Sequence, residues 1–196
     1  MDAERTWIFS DPHFNHKNII KYCSRPFSFD TEGVAAMNRS ILDSIEDTVP
    51  DGSNLICLGD WAMMYSEESW NYIRTVMDEL SGGHGYHVYT LLGNHDRGKY
   101  HGEPTVKEFS KLPFEGVWEF PTIINDYLIL SHEPVMLESN SIYVNLHGHI
   151  HDAKLVDCDT YKGGPVNHYV NCCLDANGMK PLSLDVIIKN LSSMDA

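Results

Sequence analysis

Five short fragments carry side chains able to hold metal ions. They are Asp11-Pro12-His13, Gly59-Asp60, Gly93-Asn94-His95-Asp96, Ser131-His132 and Gly148-His149-Ile150-His151. Together they offer seven candidate ligands: Asp11, His13, Asp60, Asn94, His132, His149 and His151. His95 is an additional imidazole. Seven donors are too many for one ion and suit two. Carboxylate, imidazole and amide oxygen form a mixed hard and borderline set, which fits Mn, Fe, Zn, Co or Ni. No thiolate belongs to the set, which argues against a structural zinc site. Neither Asp11-x-His13 nor His149-x-His151 has EF-hand or zincin spacing.

Each fragment follows a stretch that reads as a strand. Thr6 to Ser10 is a short apolar run broken at Asp11-Pro12. Val34, Met37, Ile41, Leu42, Ile45 and Val49 recur at helical spacing, so a helix is expected over roughly 31–47. Asn54 to Leu58 is the next strand, stopped by Gly59-Asp60. Ser66 is placed to cap a helix with Glu67 and Glu68 in its first turn, ending near Leu80. Tyr86 to Leu92 is a third strand. This order implies parallel βαβ units. Short strands are expected beyond Phe114, at Val117–Phe120, Thr122–Ile124, Tyr127–Leu130, Ile142–Leu146 and Tyr169–Cys172. Asn125-Asp126 reads as a hairpin turn, and Ser183 as the cap of a last helix. In α/β sheets, sites lie beyond the carboxyl ends of strands, so five strand ends are expected to converge on one spot.

The 196 residues read as a single domain, with 42% apolar residues. Lys and Arg total 14 against 28 Asp and Glu, giving a formal charge of −14. That balance argues against extensive duplex nucleic-acid binding, which wants a basic stripe. It leaves room for a phosphate substrate, because bound metals invert the local field. No apolar stretch reaches the ~18 residues of a membrane span. The polar N-terminus does not read as a signal peptide, so a cytoplasmic protein is expected. The five cysteines, Cys23, Cys57, Cys158, Cys172 and Cys173, are then expected to be reduced.

The order D-x-H, G-D, G-N-H-D, H, G-H-x-H closely resembles the calcineurin-like metallophosphoesterase superfamily. Ser10 to Ile20, Arg25-Pro26-Phe27 and the tail Asn171-Cys172-Cys173-Leu174-Asp175 resemble the small bacterial and phage members of that group. One departure is Gly59-Asp60-Trp61-Ala62, where many members carry a further acid or Asn. The resemblance implies an α/β fold, a four-layer α/β/β/α sandwich of two mixed sheets flanked by helices.

It also implies roles. Asp11, His13 and His151 would hold one divalent ion, and Asn94, His132 and His149 the other, with Asp60 bridging. Manganese is the first expectation, with Fe, Zn, Ni or Co as alternatives. The implied reaction is phosphodiester hydrolysis, with a hydroxide bridging the two ions as nucleophile. His95 would donate a proton to the leaving oxygen or stabilise the phosphoryl charge, and Asp96 would orient it. Arg25, His16 and Asn15 are the candidate substrate contacts, Arg25 as a fork of donors for phosphate. The expected substrate is a small phosphate ester of nucleotide type.

Three other readings compete: a phosphomonoesterase, a mononuclear metal hydrolase, and a non-catalytic scaffold on the same fold. The presence of all seven ligands and His95 weighs against the scaffold. His147 is expected to pack rather than ligate. His84, His87, His101 and His168 have no motif support, and Trp61, Trp70 and Trp118 are expected in the core. The polar stretch from Gly98 to Pro113 reads as a surface loop with a short helix and as a candidate lid.

Overall fold

The computed structural model describes residues 1–64, 66–100, 103–158 and 165–194. His101 lies outside these residues. In chain order the elements are β1 (Thr6–Phe9), α1 (Ile19–Tyr22), α2 (Thr31–Thr48), β2 (Asn54–Cys57), α3 (Glu67–Met77), β3 (His87–Leu91), β4 (Lys99–Tyr100), β5 (Glu103–Pro104), α4 (Thr105–Phe109), β6 (Gly116–Trp118), β7 (Thr122–Ile124), β8 (Leu128–Ser131), β9 (Val144–His147), β10 (Tyr169–Asn171), β11 (Leu182–Ser183) and α5 (Leu184–Met194).

The strands form two mixed sheets. The first has the order β11-β1-β2-β3-β6. Its β1, β2, β3 and β6 run parallel, and β11 is antiparallel to β1. The second has the order β10-β9-β8-β7, with β8, β9 and β10 parallel and β7 antiparallel to β8. Asn125 and Asp126 make the β7–β8 turn, with φ of 48° and 68°. Two successive left-handed residues give a turn whose twist matches that of the strands it joins.

Alternation along the strands divides the core in two. Phe9, Leu55, Cys57 and Val88 face α2 and α3, where they meet Met37, Ile41, Ile45, Trp70, Ile73 and Met77. Ile8, Ile56, Leu58 and Leu91 face the second sheet, where they meet Leu128, Leu130, Val144 and Leu146, with Leu184 and Ile187 of α5 completing the cluster. Burying each such side chain contributes about 1.5–3 kcal/mol. The protein is thus α/β, with two mixed sheets flanked by helices. The fourth layer is thin. The segment after β8 covers the outer face of the second sheet, where Asn145 Oδ1 accepts from Val135 N and Tyr169 Oη donates to Val135 O.

Caps fall where their residue types suit them. Asp30 accepts from Gly33 N at the start of α2, and Ser66 accepts from Ser69 N at the start of α3. The α3 helix ends at Met77 and widens into a π-type turn over Asp78–Gly83, which carries the chain past the expected end at Leu80. Within the expected loop from Gly98 to Pro113, α4 packs against the core. Phe109 of α4 is buried, and its ring meets Trp70 at 5.0 Å and Phe114 at 5.9 Å.

Candidate metal centre

The carboxyl ends of β1, β2, β3, β8 and β9 gather all five fragments. Main-chain pairing continues past the strands and locks the first two loops together. Asp11 N donates to Gly59 O, His13 N to Asp60 O and Phe14 N to Trp61 O. Side chains then tie the remaining loops in. Asp11 Oδ2 accepts from His149 N at 2.8 Å, and Asp60 Oδ1 accepts from His95 N at 2.9 Å.

The loops turn so sharply that their side chains are forced inward. Asp11, His13, Asp60, His149 and His151 all have φ between 50° and 71°. Left-handed backbone is costly for residues other than glycine, and it persists where the surroundings hold it in place. Close approach of the loops also excludes side chains at two glycines. A Cβ on Gly148 would lie 2.0 Å from Ser10 Oγ, and one on Gly93 would lie 2.1 Å from Asp60 Oδ1.

Two groups of donor atoms result. Asp11, His13 and His151 form one, and Asp60, His132 and His149 the other, each with donor atoms within 4.8 Å of one another. Asn94 Oδ1 joins the second group, 2.8 Å from His132 Nε2 and 3.0 Å from His149 Nδ1. Asp60 Oδ2 lies between the groups, 3.4 Å from His132 Nε2 and 3.6 Å from His13 Nε2. Such spacing suits neighbouring ligands on an ion with bonds of about 2.0–2.2 Å. Asp11 Oδ1 and His13 Nε2 are buried without a hydrogen-bond partner. Buried polar atoms are ordinarily paired, so orphaned donors in this position fit a cation. The residue set therefore suits two divalent ions.

Electrostatics agree with that use. Burial alone would raise the Asp11 carboxyl, but the imidazole of His13, 3.7 Å away, and the charges of His132 and His151 hold it well below its ordinary value. Burial likewise opposes the charge on His132, yet the Asp60 hydrogen bond and the Asp11 charge raise it to about 9. Burial lowers His95 below its ordinary value. Its Nε2 stands 3.9 Å from Asp60 Oδ2 and its ring meets His13 edge-on at 5.3 Å. A half-buried neutral imidazole thus flanks both groups of donors.

The other expected site residues divide. His16 lies at the site, with its ring 5.5 Å from His13 and 6.4 Å from His95. Burial, followed by the charges of those two histidines, lowers it to about 4. Asp96 does not orient His95. It is buried and accepts from Asp60 N, Trp61 N and Gly93 N, so its carboxylate splices the β2 loop to the β3 loop. Burial and the neighbouring Asp60 charge push it up to about 7, against those donors. Asn15 turns away from the donor groups, where Asn38 Nδ2 donates to its Oδ1 and Asn38 Oδ1 accepts from its N. His147 is packed, with Nδ1 at 3.0 Å from Gly148 O.

Arg25 is not placed to clamp a phosphate. It is 4% exposed. Its donors reach Asp175 Oδ1 and Oδ2, Pro12 O and Asp11 O. A guanidinium with its fork filled by protein has nothing left for substrate. It instead holds the carbonyls of the first loop. Its partner Asp175 is the residue that sequence reasoning missed. Asp175 Oδ2 lies 2.7 Å from His151 Nδ1, which leaves His151 Nε2 to face Asp11 Oδ1 at 3.8 Å. Burial would raise Asp175, but hydrogen bonds from His151 and Arg25 bring it down to about 2. The tail fragment ending at Asp175 was visible in the sequence, but its contact with a loop so distant along the chain was not.

The calcineurin-like phosphoesterase profile matches residues 4–171, and the chain belongs to that family. It is a metal-dependent phosphoester hydrolase. An uncharacterized protein of Methanocaldococcus jannaschii is 30% identical over 195 residues, covering 96% of this chain and 92% of its own. A protein of unknown function from Aquifex aeolicus has a similar fold, with TM-score 0.62 at 21% identity over 94% of this chain and 98% of its own. A Pseudomonas putida nuclease, MPE, aligns at TM-score 0.44 and 22% identity over 76% of this chain and 62% of its own. Among the described residues, no helix is long and apolar enough to cross a membrane.

Proposed function

We propose that this protein hydrolyses phosphodiesters of small, nucleotide-type substrates at a centre of two divalent ions. Asp11, His13 and His151 hold one ion, and Asn94, His132 and His149 the other. Asp60 serves both. The carrying observation is that Asp60 Oδ2 sits between two complete donor groups, with His95 beside it. Bound dications supply acidity to a water molecule near neutral pH and positive charge for the phosphoryl oxygens in the transition state.

The chain's own residues do the rest. Asp96 fixes the β2 and β3 loops, and so fixes Asp60 against His95. Asp175 fixes the tautomer of His151, donating position and basicity to the ligand nitrogen. His95 reaches the phosphoryl group from the solvent side. It is placed to donate to the leaving oxygen or to a phosphoryl oxygen. The net charge of −14 favours small esters over long duplexes, whose capture needs many cations.

The test is turnover of bis-p-nitrophenyl phosphate against p-nitrophenyl phosphate, with Mn²⁺, Fe²⁺, Ni²⁺, Co²⁺ or Zn²⁺ added to metal-free protein. Faster turnover of the diester supports the reading. Exclusive turnover of the monoester would replace it with a phosphomonoesterase. Binding of metal without turnover of either would point to a scaffold.

A further inference from the structure

One exposed group of side chains beside the metal centre takes no part in holding the ions. Tyr22, at the end of α1, is 74% exposed. Its neighbours Ile19 and Ile20 are buried and anchor the short helix. The Tyr22 ring stands edge-on to His16, centroid to centroid 6.4 Å, and His16 in turn touches His13 and His95. A row of rings therefore leads from the donor groups out to an open aromatic face.

The segment that carries Tyr22 also carries positive charge, which is scarce in this chain. Lys17 and Lys21 place their ammonium groups 4.5 Å and 3.5 Å from the centroid of Phe29. Among the described residues neither is ion-paired, although the chain carries 28 acidic residues. Lys17 follows His16 in the chain and Lys21 precedes Tyr22, so both cations belong to the short segment that carries the two rings. Of the acids flanking the segment, Asp11 belongs to the donor groups, and Asp30, which feels the Lys17 charge, caps α2 through Gly33 N. Single exposed aromatics are ordinary on protein surfaces. An exposed ring linked through His16 to the donor groups, on a segment with two cations that make no ion pair, is a combination suited to single-stranded nucleotides: a stacking platform with positive charge for the backbone.

We propose that Tyr22, on the segment that carries Lys17 and Lys21 and in ring contact with His16, is a nucleobase-stacking subsite, so that the preferred substrate is a nucleotidyl phosphodiester whose base lies on Tyr22 and whose scissile phosphate lies at His95. The inference rests on the phosphoesterase reading of the metal centre. His16, half-buried, lies between the two and borders the sugar.

Two esters with the same leaving group separate the subsite from the chemistry. The p-nitrophenyl ester of thymidine 5′-phosphate carries a base, and methyl p-nitrophenyl phosphate does not. Wild-type protein should prefer the thymidylyl ester in kcat/KM. Tyr22→Ala should lower kcat/KM for that ester about tenfold, mostly through KM, as the loss of one base–aromatic stack predicts. It should leave the methyl ester within about twofold. Tyr22→Phe should keep the wild-type preference, because stacking needs the ring and not the hydroxyl. Equal loss on both esters, or no loss on either, would overturn the subsite while leaving the phosphoesterase intact. A wild-type protein inert towards both esters with metal bound would overturn the phosphoesterase reading, and this inference with it.

Discussion

Replacing Asp175 by Asn tests whether the Arg25–Asp175 pair fastens the metal loops to the body of the fold. The Asp175 side chain is 3% exposed and uses both oxygens, on Arg25 and on His151. Bringing its pKa from the ordinary 3.8 to about 2 corresponds to about 2 kcal/mol of charge-dependent stability. Asn keeps the shape and removes the charge. Arg25 would then be left buried with only the Asp11 and Pro12 carbonyls as oxygen partners. Breaking a buried pair from one side costs about 3–5 kcal/mol, and the surviving carbonyls argue for the lower end. A loss of about 3 kcal/mol is expected, which lowers Tm by roughly 6–12 °C for a chain of this size. The assay is urea unfolding of chelator-treated protein across a pH series. The folded-state pKa is depressed, so the stabilisation is complete above the ordinary 3.8 and fades as pH falls through about 2. The gap between wild type and Asp175→Asn should thus narrow on acidification, and it should also narrow as pH rises from the ordinary 6.5 of His151 towards its raised value of about 10, because the same carboxylate holds that proton. A gap below about 0.5 kcal/mol at neutral pH, within the range of surface substitutions, would refute the assignment.

The site predicts three further outcomes. His95→Ala should retain bound metal and lose about 10²–10⁴-fold in turnover, the range for a positioned imidazole; equal loss of metal would remove His95 from catalysis and make it structural. In metal-free protein His132 and His151, raised to about 9 and about 10, carry protons at neutral pH, and ligand nitrogens must be neutral. Both pKa values are raised, so protons oppose the ions below them, and metal affinity should climb with pH through that range. Loading in weak buffer near neutrality should release protons, read with an indicator dye, and a silent titration contradicts the arrangement. Gly148→Ala should destabilise the protein by about 1–3 kcal/mol, as forced overpacking does, because its Cβ would collide with Ser10 Oγ and Asp11 Oδ2. Unchanged urea midpoint and metal content would contradict that close approach.

Much of the centre was legible because each ligand sits immediately after a strand, and strand ends in an α/β sheet share one edge. Apolar runs stopped by Asp11-Pro12, Gly59-Asp60 and Gly93-Asn94 reveal both the strand and its exit. Arg25 and Asp175 were not legible in that way. A lone arginine near a metal motif looks like a substrate clamp, and only the fold brings Asp175 to it across 150 positions. Asp96 misled for a related reason. Its place beside His95 in sequence suggested a partner for that ring, whereas the tight turn aims its carboxylate at three main-chain donors. Asn15 obeys the same logic, drawn off by Asn38 on α2. Short-range spacing identifies the residues at a strand's exit; it does not reveal which buried charge needs a distant partner.

The central claim is that one carboxylate, Asp60, serves two ions. Metal content per chain, measured after Mn²⁺ loading and gel filtration, tests it most directly. Wild-type protein should carry two equivalents, and Asp60→Ala should lose both together, because each donor group loses the oxygen it shares. A single equivalent in wild type, or two retained in Asp60→Ala, would contradict the shared-carboxylate centre.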